Sequence, residues 1–295
     1  MTSVHCVGVL AHPIRPQTAP IAEQIARSLE ARGVEPRLYT VWQPADVEPH
    51  LAGCDVVVAI GGDGAMLRSA RVCARFGIPV LGVNMGHLGF LTEVQSPDLW
   101  DGAMDDLLAE RYWIEQRMMV DVQVWRSGVC VSTDEALNEA VIGRGKMSRI
   151  VQLDTYIDGE WTTTYNADGL IVATATGSTA YALAAGGPIL PPEMRSILLV
   201  PVAPHLSLDR PMVLPEGATV DVFVSQASQG DAALAIDGDH IVELRPGDHI
   251  NVQASQYGSR FIRMREKRYF YRSLLDRLEP RIPVPPTPER RQLDR

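Results

Sequence analysis

Cysteine is scarce and scattered. The 295 residues hold four, Cys6, Cys54, Cys73 and Cys130, with no Cys-x-x-Cys spacing. Three of them sit in apolar runs, which reads as buried free thiols in a reducing cytoplasm. His87, His205 and His240 are too dispersed for a zinc site. Positive charge is also short. A net charge of −9 argues against nucleic acid or an anionic membrane as the main partner. Any polyanionic ligand must therefore be held by local devices: backbone N–H groups, a few Arg and a divalent cation. No apolar run approaches a membrane span, and the first ten residues are too short and polar a stretch for a signal peptide. No repeat and no Gly-Lys-Ser/Thr phosphate loop occur, and the Gly-x-Gly-x-x-Gly dinucleotide spacing is absent. What these absences leave is a cytosolic globular protein whose length and 46% apolar side chains suit two domains.

What is present centres on residues 55–64, Asp-Val-Val-Val-Ala-Ile-Gly-Gly-Asp-Gly. Val56–Ile60 reads as a strand apolar on both faces, as at the centre of a parallel sheet. Gly61, Gly62 and Gly64 allow close backbone approach, and Ala65–Phe76 has helical periodicity. Strand, glycine turn and helix N-terminus together form a potential phosphate cradle. Asp63 is out of character there, because a carboxylate repels phosphate. It is a turn former bonded to its own backbone, a metal contact or a catalytic base.

Before this stretch, residues 4–10 predict a strand, Thr18 caps a helix through about Arg32 closed by Gly33, and Glu35–Val41 is a second strand. Ile78–Asn84 follows as a fourth strand ending in Met85-Gly86-His87-Leu88-Gly89-Phe90. The alternation indicates an open α/β domain, with Gly61–Gly64 and Asn84–Gly89 at the carboxyl edge where such sheets bind ligands. Ser96 caps a helix through about Arg111, with Leu99, Ala103, Met104, Leu107 and Leu108 as its apolar face. Beyond Trp113 the texture becomes that of an antiparallel β domain. Strand-like pieces fall at 118–126, 137–143, 149–158, 170–174, 196–202, 219–225, 232–236 and 248–254, interrupted by a helix at Thr179–Ala185. The expected division is 1–112 for the α/β domain, rejoined by 259–279 with a short helix, 113–258 for the β-rich domain, and a disordered tail at 280–295.

Three more constellations accompany the glycine turn. In Leu137-Asn138-Glu139 the adjacent polar residues point to opposite faces of a strand and are uninformative alone. Asn166-Ala167-Asp168-Gly169 leads through a buried strand to Thr176-Gly177-Ser178-Thr179-Ala180-Tyr181. There, free N–H groups and a density of hydroxyls suit an anion or nucleotide, and the Tyr181 ring can stack. Ile236-Asp237-Gly238-Asp239 reads as a hairpin turn. Trp42, Trp113, Trp125 and Trp161 read as packing residues.

In this order, with Gly186-Gly187-Pro188 and Ser207-Leu208-Asp209-Arg210-Pro211, these motifs closely resemble the NAD kinase family from about residue 4 to about 275. The glycine motif is shared with diacylglycerol and sphingosine-type lipid kinases; the Asn-Glu and Thr-Gly-Ser-Thr-Ala-Tyr motifs are specific to NAD kinases. The resemblance implies an α/β domain with a parallel sheet plus a β-rich, sandwich-like domain with the active site between them, assembled as a homodimer or homotetramer. It implies transfer from ATP, with Mg²⁺ or Mn²⁺, to the 2′-hydroxyl of the adenosine ribose of NAD, giving NADP; some bacterial members also accept polyphosphate. Asp63 falls on the family's catalytic acid–base position, with Gly61, Gly62, Gly64 and Arg68 near phosphate. Asn138, Glu139, Thr179, Ala180 and Tyr181 match positions holding the adenosine and nicotinamide riboside parts, with Ala182, Leu183 and Ala184 continuing that line. Asp168 matches the carboxylate that receives the nicotinamide amide, and Arg149, Asn166 and Ala203 match further lining positions. Ala65, Ala184 and Asp239 depart from the usual Thr or Asn, Ser and Gln; Asp239, placed with the NAD-lining set, cannot donate a hydrogen bond when ionised. The alternatives are a lipid kinase and a non-catalytic nucleotide-binding protein on the same scaffold.

Overall fold

The computed structural model describes residues 4–12, 14–40, 44–86, 89–145, 149–228, 231–267, 269–271 and 274. The sequence-predicted tail at 280–295 and Trp42 lie outside the described residues. Two units are distinguished, Met1–Arg265 and Glu266–Arg295. In the second, Tyr269–Tyr271 are helical and the Tyr269 N–H donates to the Glu266 carbonyl at 3.0 Å.

The first unit begins with alternating strands and helices: β1 (Cys6–Leu10), α1 (Ala19–Glu30), β2 (Glu35–Tyr39), α2 (Pro44–Leu51), β3 (Val56–Gly61), α3 (Asp63–Ala74), β4 (Val80–Asn84) and α4 (Trp100–Leu108). Its strands are parallel in the order β2-β1-β3-β4. β1, β3 and β4 are buried along their whole length, as helices on both faces of the sheet require.

Three local expectations are corrected. Thr18 precedes α1 but makes no side-chain cap; its Oγ1 donates to the Arg15 carbonyl and accepts the His12 N–H, both at 2.8 Å. Ser96 caps a 3-10 turn, Pro97–Leu99, accepting the Asp98 N–H, so α4 starts only at Trp100 and Leu99 is 56% exposed. α2 was not expected, because its Pro44 and Pro49 mask a helical pair, Val47 and Leu51, that is buried.

The β-rich part comprises β5 (Trp113–Arg126), β6 (Val129–Ala136), β7 (Glu139–Arg144), β8 (Val151–Ile157), β9 (Glu160–Ala167), β10 (Gly169–Thr174), α5 (Tyr181–Ala184), β11 (Ser196–Val202), β12 (Met212–Pro215), β13 (Val220–Val224), β14 (Ala232–Ile236), β15 (His240–Leu244) and β16 (His249–Arg263). β6, β9, β12 and β15 escaped the sequence reading for one reason. Each pairs with a single neighbour at a sheet edge, where solvent permits polar residues and the apolar signal fades. Trp161 lies on such an edge and is 61% exposed, contrary to its expected packing role.

A six-stranded antiparallel sheet, β12-β11-β10-β7-β14-β15, packs on the antiparallel half of a ten-stranded sheet. Val122, Leu153, Val222 and Val252 of one face Ile142, Val172, Leu199 and Leu234 of the other, forming the sandwich core. β16 joins the two parts of this first unit. It pairs antiparallel with β13 and β5, and at Phe261 pairs parallel with β4, so the α/β strands continue the same sheet.

Candidate active site

β2 lies on one side of β1, and β3 and β4 lie on the other. The order therefore reverses between β1 and β3, the crevice where open α/β sheets bind ligands. His12, just past β1, and Gly61–Gly64, at the end of β3, face each other there. A Cβ on Gly61 (φ +149°) would fall 2.8 Å from Ala65 Cβ and 3.3 Å from His12 Cδ2, so only glycine fits. Gly62 is the N-cap of α3, and Asp63 is its first residue, two positions earlier than the periodicity indicated.

Asp63 does not bond its own turn. Its Oδ2 accepts the N–H of Phe90 at 2.8 Å and its Oδ1 that of Leu91 at 2.9 Å. A Cβ on Gly89 would stand 2.1 Å from Asp63 Oδ1, so glycine lets the second loop close over the carboxylate. The simple turn-former reading is overturned: the carboxylate is held across two loops. His87 and Leu88 lie outside the described residues. His12 Nδ1 accepts the Ile14 N–H at 3.2 Å, which leaves the proton on Nε2. Burial, then the Arg68 and Arg15 guanidiniums, hold its pKa below the usual range, so it is a neutral donor.

From the same helix, Arg68 forms a fork to Asp239, Nε to Oδ2 at 2.6 Å and Nη2 to Oδ1 at 2.8 Å. The hydrogen bond from Arg68 holds the Asp239 carboxyl below its ordinary value. The substituted Asp239 thus has a partner within the chain. One turn on, Arg71 reaches Asp134 at 2.6 Å, and Asp134 also meets His240 Nδ1 at 2.7 Å. α3 is thereby tied to the β-rich sheets at successive turns.

Asp237 and Gly238 have φ of +47° and +74°, the expected tight hairpin between β14 and β15. The sequence did not reveal what the Asp237 side chain does. It turns inward and accepts the N–H groups of Leu137, Asn138 and Glu139 at 2.9, 2.8 and 3.1 Å. Glu139 is buried beside it, and its Oε2 has no hydrogen-bond partner. Burial, then the Asp237 carboxylate, push the Glu139 carboxyl up to about 8. Burial also raises Asp237, while its three N–H donors favour its ionised form, so of the two carboxyls Glu139, which has no such donors at Oε2, is the one that keeps a proton.

The Thr176–Tyr181 stretch packs against this strand. Thr174 Oγ1 donates to the Leu137 carbonyl at 2.5 Å, and a Cβ on Gly177 would fall 2.2 Å from the Asn138 carbonyl oxygen. Instead of the single expected helix there is a 3-10 turn, Gly177–Thr179, and then α5. The hydroxyls read as ligand contacts are largely used internally. Buried Ser178 Oγ donates to the Ala175 carbonyl at 2.7 Å and accepts the Leu190 N–H at 3.0 Å, and Thr179 Oγ1 donates to the Thr176 carbonyl. Tyr181 and Ala184 are exposed, Ala182 is buried, and Ala180 and Leu183 lie between these extremes.

Arg68 is thus bound to Asp239, Asn138 and Glu139 are bound to Asp237 two residues before Asp239, and the Gly177–Thr179 turn leading into α5 packs on Asn138. Asn166, Asp168 and Ala203 lie apart from these. They gather at the opposite end of β10, which separates Asp168 from the Gly177–Thr179 turn by about 20 Å at strand rise. There Asp168 Oδ1 is 3.2 Å from Arg144 Nη1, the His205 N–H donates to the Asn166 carbonyl, and Ala203 has a φ of +46°. Arg149 is exposed. Sequence reasoning overlooked His12, Arg71, Asp134 and Arg144. For His12 the signal was available, since it directly follows a strand at the ligand-binding edge.

Comparison with known proteins identifies the family. The family described as ATP-NAD kinase N-terminal domain matches residues 35–112, and that described as ATP-NAD kinase C-terminal domain matches 137–264. An NAD kinase of Chloroflexus aurantiacus is 42% identical over 273 residues, covering 92% of this chain and 98% of that protein. The chain belongs to the NAD kinase family. An NAD kinase of Moorella thermoacetica is 38% identical over 271 residues, 90% of this chain and 86% of its relative. Among solved structures, an Archaeoglobus fulgidus NAD kinase in complex with ATP aligns with a TM-score of 0.71 at 25% identity, covering 92% of this chain and 96% of that one. Yeast NADH kinase complexed with NADH shares the fold with a TM-score of 0.81 at 24% identity, covering 93% and 87%. Membership of the NAD kinase family fits both the Gly61–Gly64 turn and the Asn138–Glu139 strand.

Proposed function

We propose that the chain transfers the terminal phosphoryl group of ATP to the 2′-hydroxyl of the adenosine ribose of NAD, giving NADP. It is an enzyme, a kinase that uses ATP and acts on NAD. The observation that carries this reading is Asp63, a carboxylate gripped by two backbone N–H groups beside a glycine turn at the switch point of an NAD kinase-family sheet. Each Asp63 oxygen accepts one N–H and retains a lone pair for a hydroxyl proton. Phosphoryl transfer passes through a loose transition state, so the hydroxyl needs aim more than early deprotonation. Asp63 holds it in line and takes its proton late, a contribution of about 10²–10⁴-fold. The N–H groups of the first turn of α3, which lack intrahelical partners, with the His12 Nε2–H, face the phosphates. Asn138, Glu139 and the Thr179–Ala184 turn hold the dinucleotide.

Among the described residues no three His, Cys, Asp or Glu side chains group to hold a metal. The divalent cation, Mg²⁺ or Mn²⁺, is therefore read as arriving with the ATP phosphates, and no step is assigned to a resident ion. Because β10 keeps Asp168, Asn166 and Ala203 far from the Thr179 turn, these residues are read, with Arg149, as serving NAD bound to a second copy of the chain. That is the ground for a homodimer or homotetramer. Among the described residues no helix is long and apolar enough to cross a membrane. A cytoplasmic location rests on three buried free thiols.

One incubation with Mg-ATP and NAD, read by an NADP-specific dehydrogenase, tests the activity; absence of NADP would favour a lipid kinase or a nucleotide sensor. Asp63→Asn is expected to lower kcat by about 10²–10⁴-fold while NAD still binds. Replacing ATP with polyphosphate tests the donor range.

A further inference from the structure

Beneath the Asp63 loop lies a buried ion cluster that the chemistry above leaves unused. Glu115 Oε2 accepts from Arg117 Nε and Nη2 at 3.1 and 2.9 Å and from Arg263 Nε at 2.7 Å. All three side chains are out of water, Arg263 completely, and both guanidiniums lie over the Phe261 ring, 5.2 and 5.3 Å from its centre. Stability does not account for such a cluster, because well-packed apolar residues in place of buried ion pairs are often neutral or stabilising.

Its outer contacts point to the site. Arg263 Nη1 donates to the Leu91 carbonyl at 2.8 Å, and the N–H of that same residue holds Asp63 Oδ1. Arg263 Nη1 and Arg265 also reach Glu93, and Arg265 Nη2 donates to the Thr92 carbonyl, so residues 91–93 are riveted to the end of β16. On the other side, Arg117 Nη1 lies 3.5 Å from Oγ1 of Thr176, which precedes the Gly177–Thr179 turn packed on Asn138. One carboxylate thus links the loop that grips Asp63 to the turn beside the Asn138–Glu139 strand. Burial pushes Glu115 up, but the Arg117 and Arg263 guanidiniums prevail and hold it at about 2, so the link stays ionised at any working pH.

We propose that Glu115, acting through Arg263 and Arg117, is a positioning residue that sets the distance between Asp63 and the dinucleotide-binding turn. This rests on the reading of Asp63 given above. The ammonium of a Lys cannot span both Glu115 and the Leu91 carbonyl as a guanidinium does.

The test compares Arg263→Lys, alone and combined with Asp63→Asn, with Thr176→Val, measuring kcat and KM for NAD in enzyme shown to be folded by its melting temperature. Arg263→Lys is expected to lower kcat by about 10–100-fold with KM for NAD nearly unchanged. In the Asp63→Asn background the same change is expected to lower kcat by no more than about twofold, because the group it aims is gone. Thr176→Val is expected to raise KM for NAD about 3–10-fold with a smaller effect on kcat. Equal losses from Arg263→Lys with and without Asp63, or an unchanged kcat, overturn the proposal. Should Arg263→Lys fail to fold, an unchanged KM in Thr176→Val overturns it. Near-normal turnover of Asp63→Asn alone instead sinks the underlying reading of Asp63.

Discussion

Glu139 makes the protonation state of the site measurable. It is 7% exposed, its Oε2 has no partner, and three N–H groups favour the ionised form of Asp237 behind it. With its carboxyl pushed from an ordinary 4.5 to about 8, the folded chain keeps a proton that the unfolded chain loses above pH 4.5. The folded state binds more protons across this window, so stability falls as pH rises from 4.5 to about 8 and levels off above it. The slope is about 1.4 kcal/mol per pH unit, about 5 kcal/mol over the whole window at most. Glu139→Gln keeps the shape and removes the titration. Urea unfolding of both proteins at intervals from pH 5 to about 9 isolates the term as a difference, the Gln variant gaining on the parent as pH rises. A ligand whose hydroxyls donate to Glu139 favours its ionised form, so NAD is expected to bind more tightly as pH approaches about 8, and this trend should vanish in Glu139→Gln. Parallel stability curves for the two proteins would refute the buried-proton argument.

Other outcomes follow from single contacts. Gly89→Ala places a Cβ 2.1 Å from Asp63 Oδ1, and the carboxylate is the part able to move; kcat should fall about 10²-fold or more with little change in melting temperature, and normal turnover would contradict the clamp. Asp239→Gln removes the carboxylate that occupies Arg68. The apparent KM for ATP should fall, most at low salt, while stability changes by less than about 1 kcal/mol, since the pair is partly exposed. Gly177→Ala meets the Asn138 carbonyl at 2.2 Å, where rigid backbone must shift; KM for NAD should rise, and an unchanged value would detach that turn from the ligand.

Much of the protein was legible in its residues because the signals were local. The buried strand Val56–Gly61, the glycine turn and the periodicity of α3 are consecutive, and the hairpin at Asp237-Gly238 needs only two residues of positive φ. These set the parallel sheet and the location of Asp63 without any contact being known, and the equally local Asn138-Glu139 and Thr176–Tyr181 motifs carried the family resemblance. Edge strands such as β6 and β15 were lost because their environment, half solvent, leaves no apolar pattern.

The sequence by itself determined that a carboxylate stands on a glycine turn between a buried strand and a helix. It did not determine what holds that carboxylate. The partners of Asp63 are 27 and 28 residues away, Arg68 meets Asp239 across 171, and Arg263 reaches Leu91 across 172. The last depends on β16 crossing from the sandwich into the parallel sheet, and the burial that raises Glu139 and the guanidiniums that keep Glu115 charged likewise come from residues distant in sequence. Local sequence carries backbone preference and hydrophobic period; dielectric environment and long-range hydrogen bonds exist only once the chain has packed.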